Sequence, residues 1–380
     1  MNKRTRAVAA GLLCVAAWSA SAADLERGMD AYEHGDYATA LAEFRPLAAE
    51  GDARAQAKYA RMMALGQGMP VDLTESLAWY KKSAAQGDAE GQYGLAYSYA
   101  HGEGVAADID RAVALLQKAD AQGYHRATRF LGEIRAGAFG ERHQDLPQAR
   151  ALFERAADAG DEAAKLNLGL MLINGQGGAA DPERAIPLLE AQAANYPEAA
   201  GALGLAYEHG TGVSADIEQA AHWYRVAADQ GYGPAQINIG KLYQLGNGVE
   251  RNAQLAADYY RSAADQGYAT ANYNLGQLYA DGEGVQRDGQ MAVLNYAIAA
   301  IDGMPRAQQA LDEALDTIAS RAVGQQTALR EAPDTNARVD ATLAAGDKVW
   351  PVQAAADGWV AVYAAPDGPR LGYVARADLD

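Results

Sequence analysis

The strongest constraint on this chain is that it repeats itself. Residues 231–266 read GYGPAQINIGKLYQLGNGVERNAQLAADYYRSAADQ, and a near copy begins at once at Gly267. The same opening recurs at Gly51, Gly87, Gly123, Gly160, Asn195, Gly231, Gly267 and Gly303, at steps of 35 to 37 residues. A unit of that length cannot bury its apolar face alone and must stack on its neighbours, so the expected fold is a solenoid.

Each unit parses as helix, tight turn, helix. The first helix carries apolar and small residues at spacings of three and four, as in Ala235-Gln-Ile-Asn-Ile-Gly240-Lys-Leu-Tyr243, the periodicity of one helix face. It ends at glycine pairs: Gly66/Gly68, Gly102/Gly104, Gly175/Gly177, Gly210/Gly212, Gly246/Gly248 and Gly282/Gly284. A phosphate-binding loop needs a strand before its glycines, and here a helix precedes them. Helix C-caps are therefore expected.

The second helix opens on Asp72, Asp108, Asp145, Asp181, Asp216, Asn252 or Asp288. Such side chains accept a hydrogen bond from the free first-turn amides, worth about 1 kcal/mol. A calcium ladder would need several oxygens converging on one point, whereas these lie one repeat apart. Seven residues beyond each cap stands a bulky pair: Trp79-Tyr80, Leu115-Leu116, Leu152-Phe153, Leu188-Leu189, Trp223-Tyr224, Tyr259-Tyr260 or Asn295-Tyr296. These are expected in the core between neighbouring helices.

Two places break the pattern. In the third unit the glycine pair becomes Gly137-Ala138-Phe139-Gly140, followed by Glu141-Arg142-His143. Further on, Pro187 falls inside a second helix and Asn195-Tyr196-Pro197 replaces the glycine opening. Proline there removes a backbone donor and predicts a kink.

Residues 24–50 read as a shortened helix pair capping one end, and a helix over 308–318 as the cap of the other. Beyond it the pattern changes to short β-type runs at 327–330, 348–353, 359–363 and 371–374, with Asp357-Gly358 as a hairpin signal. About 55 residues is near the lower limit for a self-sufficient core.

Lys3, Arg4 and Arg6 precede an apolar run from Ala7 to Trp18, and Ala20-Ser21-Ala22 completes an A-x-A site, so residues 1–22 read as a removed secretory signal. The apolar run is too short to span a bilayer. Cys14, the single cysteine, lies inside that signal. Lipidation at Cys14 is the alternative. Without it the exported chain has neither a disulfide nor a thiolate metal site. The net charge of −17 becomes −20 once the three cations of the leader are gone. This disfavours nucleic acid and anionic lipid, which both require a basic surface.

The motif A-x-x-x-L-G-x-x-Y-x-x-G-x-G-V, then an acid, then A-x-x-W/Y-Y-x-x-A-A, resembles the Sel-1-like repeat, a relative of the tetratricopeptide repeat, over roughly residues 51–302. The resemblance implies a mainly α fold, an α/α superhelical solenoid whose first helices line a concave, protein-holding surface. The tail resembles a bacterial Src-homology-3-like domain through Ala328-Leu329-Arg330, Gly358-Trp359-Val360 and Gly372-Tyr373-Val374. That implies a small all-β barrel of a kind associated with peptidoglycan or peptide ligands. The expected organisation is a signal peptide over 1–22, a solenoid with terminal caps over 23–320, and the β domain over 325–380.

No G-x-S-x-G, H-E-x-x-H or Cys/His metal spacing is present, so a non-enzymatic protein without cofactor or metal is expected. His101 and His209 sit at helix ends, where they complement the helix dipole, and His143 reads as a loop residue. On the tetratricopeptide analogy the groove candidates are Asn167, Asn238 and Asn274, with Tyr93, Tyr97, Tyr273, Lys241 and Gln277. An asparagine can grip a peptide backbone or stitch neighbouring repeats internally. The expected role is an exported envelope scaffold that holds a protein segment and contacts the wall through its tail. The alternative is a polysaccharide- or peptidoglycan-binding accessory, or a protein associated with an enzyme. A β-lactam-hydrolase-like role is disfavoured, because the paired cysteines of such relatives are missing.

Overall fold

The computed structural model describes residues 23–354, 358–365 and 369–379. The expected leader with Cys14, and Asp357 of the expected hairpin, lie outside the described residues. The chain divides into two bodies, Met1–Gln144 and Asp145–Asp380.

The first body holds α1 (Leu25–Glu33), α2 (Tyr37–Glu50), α3 (Ala53–Leu65), α4 (Leu73–Ala85), α5 (Ala89–His101), α6 (Ile109–Asp120) and α7 (His125–Ala136). The second holds α8 (Leu146–Asp158), α9 (Glu162–Asn174), α10 (Pro182–Gln192), α11 (Pro197–His209), α12 (Ile217–Asp229), α13 (Gly233–Leu245), α14 (Ala253–Ala264), α15 (Ala269–Asp281), α16 (Gly289–Ile301) and α17 (Pro305–Leu315). Odd-numbered helices from α3 to α15 are the first helices of repeats 1 to 7, and even-numbered ones from α4 to α16 the second.

The punctuation expected of the sequence is what ends and starts these helices. Asp72, Asp108, Asp145, Asp181, Asp216, Asn252 and Asp288 each accept from a backbone amide of the first turn. The first glycine of each regular pair is the C-cap, with φ between 64° and 73°, a left-handed conformation that only glycine adopts without penalty. The second has a tertiary reason as well. A methyl group added at Gly104, Gly177 or Gly248 would stand 2.7, 2.3 or 2.6 Å from the carbonyl oxygen of Leu73, Leu146 or Ile217, the first residue of the second helix one repeat earlier. The turn of one repeat thus lies directly on the helix start of the previous one.

In repeat 3 Phe139 stands where that second glycine would be, and Gly140 faces open space. Residues Glu141–His143 form a 3-10 turn instead. It is tied to α6 by Asp110, which meets Arg142 at 3.1 Å and the His143 ring at 3.5 Å. His143 therefore pairs with Asp110, and its role here is to hold a loop. At Pro187 α10 runs on without interruption to Gln192. The missing glycine opening is resolved by a shorter turn, in which the amides of Asn195 and Tyr196 both donate to the carbonyl of Gln192.

Of each bulky pair, the second member is core: Tyr80, Leu116, Phe153, Leu189, Tyr224, Tyr260 and Tyr296 are all buried. The first member is half-buried in Trp79, Leu115, Leu188, Trp223 and Tyr259, a correction to the expectation that both would be core. In the pairs Leu152-Phe153 and Asn295-Tyr296 both members are buried as expected; in the other five the two residues, about 100° apart on the helix, turn the second toward the neighbouring helix and the first to its edge.

The tail is an antiparallel sheet of β1 (Arg321–Ala322), β2 (Thr327–Arg330), β3 (Val339–Leu343), β4 (Lys348–Ala354), β5 (Trp359–Ala364) and β6 (Arg370–Ala375), in the order β1-β4-β5-β6-β2-β3. The four β-type runs of the sequence are β2, β4, β5 and β6; β1 and β3 were not read from it. Alternation along β5 splits the sheet into two faces. Val360, Val362 and Ala364 join Val323, Leu329, Leu343, Val349 and Val374 in the sheet's own core. Tyr363, with Val352 and the half-buried Trp350 and Leu371, packs instead on Val293, Tyr296 and Ala297 of α16 and on Leu311 and Ala314 of α17. The face that a further repeat would cover is covered by this sheet.

The two kinds of glycine separate by substitution. Gly231 (φ 87°) has open space where a methyl would go, while Gly248 (φ 69°) has the Ile217 carbonyl there. Gly231→Ala is expected to cost about 1 kcal/mol from backbone strain alone, and Gly248→Ala roughly 1–3 kcal/mol more from the steric conflict, measured by urea unfolding.

Candidate protein-interaction surface

The first helices pack on the second through missing side chains. A methyl at Gly204, Gly240 or Gly276 would stand 2.4, 2.8 or 2.7 Å from the ring of Tyr224, Tyr260 or Tyr296, so the Leu-Gly pattern reserves room for the core tyrosine. That tyrosine then has polar neighbours on both sides. Tyr224 donates its hydroxyl to Glu208 of its own repeat, and Asn238 of the next repeat lies near the same hydroxyl. Tyr260 donates to Gln244 at 3.0 Å, and Asn274 of the next repeat lies near the same hydroxyl.

Asn238 and Asn274 thus lie next to the core tyrosine of the preceding repeat. Asn167, at the same position of repeat 4, follows a repeat whose core residue is Phe153, which carries no hydroxyl. Among the described residues, Asn167 is the member of the trio without that partner.

A second polar device went unread in the sequence. In repeats 1, 2 and 6 the glutamine just after the second helix bonds back onto the first helix of its own repeat: Gln86 to Gln56, Gln122 to Gln92 and Gln266 to Gln236, each at 2.9 Å. Gln56 and Gln236 then donate to the carbonyls of Ala48 and Ala228 in the preceding second helix. The signal was the recurrence of glutamine at a spacing of 30 residues, and its meaning lies in the burial of Gln56, Gln92 and Gln236, since a buried amide must be bonded.

What remains on the first-helix face forms two separate openings. In the second body, α9, α11 and α13 line a groove of about 540 Å³ with Leu170, Ile173, Gly201, Ala202, Leu205 and Tyr232, and with Glu198, His209 and Asn238 among its polar residues. It opens because repeat 5 places Gly201 and Ala202 where repeat 7 has Tyr273 and Asn274. Gly201 also makes room for Tyr232, whose ring a methyl there would meet at 2.8 Å. Leu205 is 46% exposed on this surface.

In the first body, a cavity of about 220 Å³ is lined by Tyr80, Tyr93, Gly94, Tyr97, Arg61 and Arg126, among others. Tyr97 stacks on His101 at 4.0 Å, and His101 also contacts Phe130 and Phe139. The His101 ring nitrogen lies 3.1 Å from the Tyr97 carbonyl, the helix-end role expected of it.

The sequence candidates therefore do not converge. Tyr93 and Tyr97 line the smaller cavity, and Asn238 the larger groove. Lys241 is exposed on α13, and Asn167 is half-buried on α9. Tyr273 packs on Tyr296 and accepts from Gln277 at 3.3 Å. The sequence singled out neither Leu170 and Leu205 nor Arg126, because each sits where the repeat tolerates any residue type.

No group of three or more His, Cys, Asp or Glu side chains suited to a metal is found among the described residues. None of their helices is long and apolar enough to cross a membrane.

Paired helices, bound within each body by repeated small-residue contacts, define an α/α repeat protein of the tetratricopeptide kind. Seven consecutive matches to the Sel1 repeat, at residues 53–88, 89–124, 125–161, 163–191, 197–232, 233–268 and 269–304, place the chain in the Sel1 repeat family. It is 39% identical over 85 residues to the Sel1-repeat-containing protein YjcO of Escherichia coli K12. That match covers 21% of this chain and 37% of YjcO, so it spans little more than a third of the relative's length. Among solved structures, a Sel1 repeat protein from Oxalobacter formigenes is 28% identical with a TM-score of 0.57, over 76% of this chain and 89% of that one. A protective antigen of uropathogenic Escherichia coli is 28% identical with a TM-score of 0.54, over 75% and 70%.

The buried tyrosines set a pH limit on this framework. Burial holds the hydroxyls of Tyr80, Tyr224 and Tyr260 well above the ordinary value of 10, and pushes Tyr124 and Tyr296 up to about 12. Their neutral form is the one that folds, so their contribution is complete below pH 10. It is lost as pH rises through 12 and beyond, because the unfolded chain ionises first. Thermal melting followed by circular dichroism is expected to be flat from pH 8 to 10 with respect to these groups, and to fall steeply from pH 10 to 12.

Proposed function

We propose that this protein is an exported, non-catalytic scaffold that seats a segment of a partner protein in the groove formed by α9, α11 and α13. Sel1 repeats typically mediate protein–protein interaction, and the observation that carries the reading for this chain is the groove itself. Apolar side chains at Leu170, Ile173 and Leu205 face an opening that no part of the described chain fills, with hydrogen-bonding groups among its lining. An extended segment offering small apolar side chains and its own backbone amides matches that lining, since peptide grooves combine apolar contact with a few fixed polar groups.

Export is supported by the basic, apolar and A-x-A order of residues 1–22. The experiment is site-specific photocrosslinking in the producing cell. A benzophenone side chain at position 205 is expected to give a discrete adduct in the envelope fraction, with mature protein beginning at Ala23. The same group at position 258, on the exposed side of α14, is expected to give none, and Ala202→Asp is expected to abolish the adduct. Equal crosslinking from both positions, or a cytoplasmic protein that retains Met1, overturns the reading.

The β sheet is proposed to be a Src-homology-3-like module that touches the cell wall, on the residues of its sequence resemblance. Its packing on α16 and α17 makes it the end cap of the solenoid as well. Sedimentation of the full chain with purified peptidoglycan tests this directly: cosedimentation is expected, and a protein that stays in the supernatant removes the wall contact.

A further inference from the structure

Four second helices place a tyrosine at the buried core position: Tyr80, Tyr224, Tyr260 and Tyr296. In repeats 5 and 6 the hydroxyl is held by a side chain two residues before the helix-ending glycine, Glu208 or Gln244, and an asparagine eight residues before that glycine in the next repeat stands near it. For Tyr80 those two positions are Ala64 and Gly94. Neither reaches the hydroxyl, and Tyr80 makes no hydrogen bond to any described residue. Tyr296 lies beneath the C-terminal sheet, whereas Tyr80, only 7% exposed, lines the 220 Å³ cavity that opens where the two partners are missing.

The charges around the cavity specify what replaces them. Glu90 is neutralised, with Lys58 at 2.8 Å and Arg61 at 3.6 Å. Arg126, half-buried on α7, lines the same cavity and has no carboxylate within ion-pair distance among the described residues. A half-buried guanidinium and a hydroxyl that line the same cavity, neither with a partner among the described residues, suit an anionic acceptor that bonds both.

We propose that this cavity receives a glutamate side chain of a partner peptide, whose carboxylate takes the place that Glu208 occupies on Tyr224. It accepts from the Tyr80 hydroxyl and pairs with Arg126, while its methylenes lie along Tyr97. The cavity is large enough for one such side chain and too small for a folded element. This rests on the scaffold reading but concerns a different surface, so the two can fail separately.

The test titrates the full exported chain with N-acetyl-glutamate N-methylamide and, separately, with its glutamine analogue, following tyrosine-ring resonances by nuclear magnetic resonance. The glutamyl probe is expected to bind about tenfold more tightly, the value of one charge-assisted hydrogen bond. Arg126→Gln is expected to erase that preference, and Glu103→Gln, which removes a like charge from the lining, to increase it. Ala64→Gln supplies the internal partner found at Gln244, so it is expected to abolish binding while leaving the melting temperature unchanged or higher. Tyr80→Phe is expected to weaken binding severalfold, and Tyr224→Phe to leave it unchanged. Equal affinity for the two probes, or undiminished binding by Ala64→Gln, overturns the proposal. If neither probe binds while the adduct from position 205 persists, the cavity proposal falls and the scaffold reading stands.

Discussion

The structure depends on how closely the helices of one repeat approach each other. A methyl group on Gly204 would meet the Tyr224 ring at 2.4 Å, so the pair packs only because one side gives up its side chain entirely. Close packing of this kind transmits position from one repeat to the next. The tyrosine that fills the space is also the group whose hydroxyl reaches Asn238 in the following repeat. Apolar packing and the polar contact to Glu208 of the same repeat are therefore carried by a single residue.

The same economy holds at the edges. The second glycine of each regular turn lies against the helix start of the repeat before it, and Gln86 and Gln266 join the first helix of their own repeat to the carbonyls preceding it. Buried polar groups are met by recurring glutamines or by nearby backbone carbonyls, so the stack carries few unpaired buried atoms. Among the described residues the exceptions are Trp223 Nε1 and Arg370 Nε. Contact with partners is left to positions where the repeat imposes no residue: Leu170 and Leu205 on one groove, Arg126 and Tyr97 on the other cavity.

Most of the fold was legible because its determinants are local. A capping aspartate, a left-handed glycine and a 3.6-residue period act within a few residues of chain, and all were read where they stand. The β-type runs at β2, β4, β5 and β6 were legible for the same reason, through alternation and turn residues. β1 and β3 were not: Arg321–Ala322 is two residues long, and Val339–Leu343 is mostly exposed, so each owes its strand to its neighbour. The site was legible only in part. Tyr93, Tyr97 and Asn238 do line openings, but Asn238 and Asn274 lie beside tyrosines 14 residues earlier in the chain, a proximity that single-helix patterns cannot reveal.

The sequence by itself determined that there are repeated helix pairs, where each helix begins and ends, and which family they belong to, because those properties follow from short-range periodicity and backbone preference. Tertiary structure decided which side chains are spent on architecture. Whether a hydroxyl finds Gln244 or an alanine, whether a glycine faces a carbonyl or open space, and whether the last helix meets another repeat or a β sheet depend on what the neighbouring turn presents. The openings at Gly201-Ala202 and at Ala64-Gly94 exist for that reason: the stack holds its spacing through its other repeats, and a missing side chain leaves room that the backbone does not close.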